Sequence, residues 1–180
     1  MNITPVIAAV RSDRDFDAAL SSRVSTVFQL VPNLITLPKQ VKAAHQTGKS
    51  IFIHIDLAEG IGRDKYGIQF LKAAGVDGVI STRANLLKMA REEEMMTVQR
   101  FFALDSRSVE TIIDSLKSTK VDMIEVMPGV VPKVISRLST LVEVPVIAGG
   151  LVETKEEMLA VLQNGGRAVS TGNQQLWEEF

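Results

Sequence analysis

With 180 residues, 46% of them hydrophobic and 23% charged, the chain has material for one folded domain over residues 1–180 and is no disordered polymer. A net charge of −1 and a pI near 6.1 give no sign of the strongly basic surface that coats nucleic acid. The absence of cysteine excludes disulfides, thiolate nucleophiles and cysteine-bound metal, and no apolar run approaches the length of a membrane span. No secretion-type pattern opens the chain, so the expectation is a cytoplasmic protein without a membrane segment.

In chain order, apolar runs rich in β-branched residues cover 5–10 and 24–31. A helical pattern follows over 34–46, broken in appearance by Pro38 and stopped at Gly48. The third run, 50–56, leads to a helix over 64–74 that places Tyr66, Phe70, Leu71 and Ala74 near one face and stops at Gly75. Runs over 78–82 and 96–102 come next, then a helix over 109–116 carrying Val109, Ile112, Ile113 and Leu116 at helical spacing. The last three runs are 123–127, 144–148 and 167–171. Between the final two, Thr154 and Glu157 form a capping-box pattern that opens a helix over 155–163, and Gly165 ends it. Met95, Met96, Trp177 and Phe180 read as packing residues, the last two as a C-terminal tether.

Near-continuous hydrophobicity suits parallel strands covered on both faces. Eight such runs alternating with helices predict right-handed βαβ units and an α/β fold, a compact TIM-type (β/α)8 barrel. A flavodoxin-like open sheet is the alternative, because 180 residues is short for a barrel.

In either fold the ligand site belongs at the carboxyl ends of the strands, and polar residues gather there. The ends carry Arg11, then His54 and Asp56, then Ser81, Thr82 and Arg83. Gln99, Arg100 and Glu125 follow, and then Gly149 with Gly150 and the segment from Ser170 to Asn173. Val144-Pro-Val-Ile-Ala-Gly-Gly150 and Ala168-Val-Ser-Thr-Gly-Asn173 are strands running into helix starts. Such connections offer main-chain N–H groups and a favourable dipole to phosphate, although a tight turn and a simple cap explain either one alone. His54 and Asp56, two apart on a strand, share a face and suit hydroxyl binding or acid–base work. A magnesium site at Asp56 and Glu59 has too few oxygens to be favoured, so no metal is expected. Glu125 interrupts an apolar strand, and Arg83 and Arg100 suit an anion or a partner carboxylate.

Taken in order, these segments resemble the glycerol uptake operon antiterminator regulatory protein family. The matching strings are Pro5-Val-Ile-Ala-Ala-Val-Arg11, Phe52-Ile-His-Ile-Asp-Leu-Ala-Glu-Gly60, Asp77-Gly-Val-Ile-Ser-Thr-Arg83 and Thr97-Val-Gln-Arg-Phe-Phe-Ala-Leu-Asp-Ser106. Ile124-Glu-Val-Met-Pro-Gly129, Pro145-Val-Ile-Ala-Gly-Gly150, Ala168-Val-Ser-Thr-Gly-Asn173 and Leu176-Trp177 complete them, over nearly the whole chain. Gly165-Gly-Arg167 departs from the apolar lead-in expected before the last strand.

The resemblance implies a barrel that binds glycerol 3-phosphate as effector, without cofactor or catalysis, and then binds the leader of a glycerol-catabolism messenger RNA. It assigns the phosphate to Gly149, Gly150, Ser170, Thr171 and Asn173, and the glycerol side to His54, Asp56, Arg83, Arg100 and Glu125. From residues alone RNA binding rests on lysine clusters, Lys39, Lys42 and Lys49 or Lys117, Lys120, Lys133 and Arg137, which a homo-oligomer would double. The competing function is a barrel enzyme acting on a triose or glycerol phosphate, with Asp56 or Glu125 as base and His54 as acid. A prenyl-transferring enzyme on glycerol 1-phosphate would need a long apolar groove that the short loops disfavour.

Overall fold

The computed structural model describes residues 3–179, so Phe180 and its expected tethering lie outside the described residues. Eight parallel strands close in sequence order into a barrel. They are β1 (Val6–Val10), β2 (Thr26–Gln29), β3 (Ser50–His54), β4 (Gly78–Ser81), β5 (Met96–Phe102), β6 (Met123–Met127), β7 (Val146–Gly149) and β8 (Ala168–Thr171). The helices between them are α1 (Asp13–Ser21), α2 (Leu37–Gln46), α3 (Lys65–Ala73), α4 (Ala84–Glu92), α5 (Ser106–Ser118), α6 (Pro132–Leu141) and α7 (Lys155–Gln163). Single 3₁₀ turns follow β3 (Ile55–Leu57) and β8 (Gln174–Glu178). The closed ladder replaces the open-sheet alternative. Strands of four to seven residues let so short a chain complete the ring.

Local chemistry sets the helix starts. Ser12, Asp64, Asp105 and Thr154 accept main-chain N–H groups from the first turns of α1, α3, α5 and α7. Thr154 and Glu157 complete the expected capping box. Pro38 does not break α2; it lies in the first turn, where its missing N–H has no helical partner to lose. On α3 the buried residues are Gly67, Ile68 and Leu71, while Tyr66 is exposed. The expected apolar face was therefore rotated, because Tyr66 sits in the first turn above the barrel rim rather than against the sheet.

Two strand boundaries also shift. β3 stops at His54, and Asp56 lies in the following 3₁₀ turn rather than on the strand. The seventh strand starts at Val146, after Pro145, and the eighth at Ala168, past Gly165-Gly-Arg167. Lys49, expected in an exposed cluster with Lys39 and Lys42, is buried instead. Its Nζ donates to the carbonyls of Ser22 and Val24, both at 2.6 Å. Burial holds its pKa below the usual lysine value, against a smaller opposing pull from Glu178.

The barrel interior is filled by one apolar cluster that includes Ile7, Phe28, Phe52, Ile80, Val98, Met123, Ile147 and Ala168. Phe28 and Phe52 pack with ring centroids 5.5 Å apart. Strand alternation decides what lies above this plug. Two residues further along, the same side of each strand presents Ala9, Leu30, His54, Thr82, Arg100, Glu125, Gly149 and Ser170. An apolar floor and a polar upper layer follow from sequence spacing alone.

Candidate functional site

A cleft of about 580 Å3 opens at the carboxyl ends of β1, β5, β6, β7 and β8. Arg11, Arg100, Glu125, Met127, Gly150, Leu151, Val152, Glu153, Ser170, Thr171, Gly172 and Asn173 are among the residues lining it. Seven of the ten expected site residues therefore fall at or against one cavity, Gly149 doing so through its neighbours. Arg11 joins them although no site role was expected of it; its position at the end of the first apolar run was the available signal.

At the base of the cleft stands a buried network. Arg100 Nε donates to Glu125 Oε2 at 2.6 Å, with the two side chains only 8% and 1% exposed. Ser170 Oγ donates to the other carboxylate oxygen, Glu125 Oε1, at 2.5 Å. Gly149 makes room for this bond: a Cβ there would lie 2.6 Å from Glu125 Oε1 and 2.7 Å from Ser170 Oγ. Glu125 thus has both oxygens engaged, while the guanidinium of Arg100 keeps terminal N–H groups for a guest.

The upper wall is built from main chain. Gly150 and Leu151 both adopt positive φ, +73° and 62°, which reverses the chain directly after β7. Such a reversal aims successive N–H groups at one concavity. The N–H groups of Gly150, Leu151, Val152 and Gly172 donate to no group among the described residues. Thr171 faces away from the barrel axis and braces this wall: its Oγ1 donates to Val152 O at 2.8 Å and accepts the Asn173 N–H at 3.0 Å. Asn173 Nδ2 donates to Glu153 O at 2.7 Å, and Trp177 Nε1 donates to Thr171 O at 2.8 Å. The expected packing role of Trp177 includes this hydrogen bond.

His54, Asp56 and Arg83 lie on the β3–β4 side of the mouth and do not line that cleft. Asp56 accepts Ser81 Oγ at 2.7 Å, Thr82 N at 2.7 Å and Thr82 Oγ1 at 2.9 Å. Burial pushes its carboxyl up, but the His54 ring beside it and the hydrogen bonds from Thr82 and Ser81 outweigh that and hold it well below the usual carboxylate range. Arg83 is exposed, with Nε 3.9 Å from Asp56 Oδ1. His54 is 5% exposed and its Nε2 lies 3.5 Å from Asp56 Oδ2, a contact at the limit of hydrogen-bonding geometry. Neither of its ring nitrogens has a hydrogen-bond partner among the described residues. Among the described residues no group of three or more His, Cys, Asp or Glu side chains is placed to hold a metal, and no helix is long and apolar enough to cross a membrane.

The chain as a whole matches a known family and solved structures. Residues 6–177 match the family described as glycerol-3-phosphate responsive antiterminator. The uncharacterized protein YgcP of Escherichia coli K12 is 38% identical over 174 residues, which is 96% of this chain and 91% of that protein. The crystal structure of a glycerol uptake operon antiterminator regulatory protein from Listeria monocytogenes superposes with a TM-score of 0.91 at 32% identity, over 98% of this chain and 96% of that one. A glycerol uptake operon antiterminator-related protein from Thermotoga maritima gives 0.87 at 34% identity, over 98% and 99%.

Proposed function

The chain belongs to the glycerol-3-phosphate responsive antiterminator family, and on that premise we propose that it is a non-catalytic sensor of glycerol 3-phosphate. Loaded with this effector, it binds the leader of a glycerol-catabolism messenger RNA in the cytoplasm and carries transcription past a terminator. No further cofactor is needed.

The observation that carries this reading is the chemistry of the β7–β8 wall. Four unpartnered main-chain N–H groups, with Arg11 and Arg100, surround a cavity large enough for a small phosphate ester. A phosphate seated between Gly150, Leu151, Val152 and Gly172 receives donors from all of them. Gly149, Ser170, Thr171 and Asn173 then act on the phosphate by holding that wall in shape. The glycerol hydroxyls reach down to Arg100 and Glu125. His54, Asp56 and Arg83 meet a ligand from the opposite side of the mouth.

A homo-oligomer that joins two modest RNA surfaces would raise affinity without a basic pI. The test is leader-RNA binding with and without glycerol 3-phosphate, using glycerol and inorganic phosphate as controls. RNA affinity that rises only with the phosphate ester supports the reading; RNA binding indifferent to it rejects the reading.

One observation favours a second reading. The buried His54 with an unpartnered nitrogen beside an ionised Asp56 is an arrangement suited to proton transfer. A barrel enzyme on a triose or glycerol phosphate would use it. Turnover of such phosphates, lost in His54→Gln, would establish catalysis instead.

A further inference from the structure

The exposed apolar side chains of this barrel are concentrated at its mouth. Leu57, Tyr66, Phe102 and Leu104 are 48%, 78%, 53% and 81% exposed, all in or at the end of the β3–α3 and β5–α5 connections. Ile35 and Leu151 occupy equivalent connections, and among the described residues only Leu141 is an exposed large apolar group at the opposite end. A patch of this kind rimmed by charge marks a docking surface.

Two arginines stand among these residues. Arg63 and Arg107 are exposed, and neither is in an ion pair or side-chain hydrogen bond among the described residues. Phe102 and Arg107 line one shallow depression of about 370 Å3. The carboxylates of the same connections are engaged locally: the exposed Asp64 and Asp105 cap α3 and α5, Asp56 holds Ser81 and Thr82, and the exposed Glu59 accepts from Asn33 Nδ2. Among the described residues of these connections, the groups left without a local polar partner are the apolar side chains and the guanidinium groups of Arg63 and Arg107.

We propose that the arc formed by the β3–α3 and β5–α5 connections docks an unpaired loop of RNA. Bases stack on Phe102 and Tyr66, and backbone phosphates meet Arg63 and Arg107. Single-stranded RNA supplies both partners at once, a π-face and a phosphate on every nucleotide, whereas double-stranded RNA hides its base faces. The surface rests on the RNA-binding reading above and gives it a location. It also places RNA and effector on one strand. Phe102 lies two residues beyond Arg100, so a ligand that fixes Arg100 fixes the strand end that presents the stacking ring.

The test compares Phe102→Ala, Arg107→Ala and the double variant Lys88→Ala/Lys120→Ala, the last altering a groove between α4 and α5. Each is titrated with glycerol 3-phosphate by calorimetry, which also checks folding, and with leader RNA at saturating effector. The rim variants are expected to bind RNA about tenfold more weakly. Their effector affinity stays unchanged, and Arg107→Ala alone lowers the salt slope, by about 0.7. The lysine variant binds RNA as wild type does. Rim variants with full RNA affinity overturn this surface alone, as do rim variants that lose the effector. Wild-type protein that binds no leader RNA overturns the functional reading and the surface with it.

Discussion

Ser170 Oγ donates to Glu125 Oε1 at 2.5 Å across β7, a strand that places no side chain between them. Gly149 leaves that gap, since a Cβ there would stand under 3 Å from both atoms. Gly149→Ala must therefore push Glu125 and Ser170 apart in a buried layer. The expected cost is about 1–3 kcal/mol of stability, the usual price of overpacking, together with weaker effector binding. Urea unfolding and calorimetry measure the two losses.

Ser170→Asp sets a second carboxylate against Glu125, which is 1% exposed, and directs negative charge at the cleft. Like charges in a shared site resist joint ionisation. Glycerol 3-phosphate binding should disappear by calorimetry, while Ser170→Ala, which removes one hydrogen bond, should retain a measurable part of it. Unchanged affinity in Ser170→Asp would move the ligand to another part of the molecule.

Arg100 is the cationic partner of Glu125, and the pair is nearly sealed from water. Arg100→Met strands a buried carboxylate, for which about 3–5 kcal/mol of destabilisation is typical. Adding Glu125→Gln to that variant should recover much of the loss, because the orphaned charge is gone. Denaturant midpoints of the single and double variants test this, and additive losses would show that the two groups are not coupled.

The fold was legible because eight apolar runs separate into eight strands, and Glu125 could be aimed inward from its neighbours Ile124 and Val126. Residues whose role depends on what lies beside them in space were harder to read. Lys49 looks like a surface lysine until the carbonyls of Ser22 and Val24 are brought to it by the β2–β3 packing. Pro38 reads as a break because sequence alone does not say that a helix begins one residue earlier. The strand-end residues do gather at the carboxyl end of the barrel, yet strand spacing could not foresee that β3 ends at His54. That boundary puts Asp56 in a turn, where it meets Ser81 and Thr82 rather than the cleft of Ser170. Main-chain donors leave no mark in composition, so the N–H groups of Leu151 and Val152 were invisible beyond the glycines beside them.

Asp56 makes stability depend on pH with a definite sign. Its folded pKa lies below the unfolded value of about 3.9, so the folded state binds this proton less readily. The stabilisation is complete above the unfolded pKa and is lost as pH falls through the lower folded value. Unfolding free energies should therefore drop more steeply below about pH 4 in wild type than in Asp56→Asn. Parallel curves for the two proteins would show that the carboxylate contributes nothing.

The most direct measurement is a crystal structure of the protein soaked with glycerol 3-phosphate. The phosphate is expected in the carboxyl-end cleft, with its oxygens within hydrogen-bonding reach of the N–H groups of Leu151, Val152 and Gly172 and the glycerol directed at Arg100 and Glu125. A ligand bound away from the β7–β8 wall, or a cleft that stays empty at saturating concentration, would contradict the assignment of this barrel mouth as the sensor pocket.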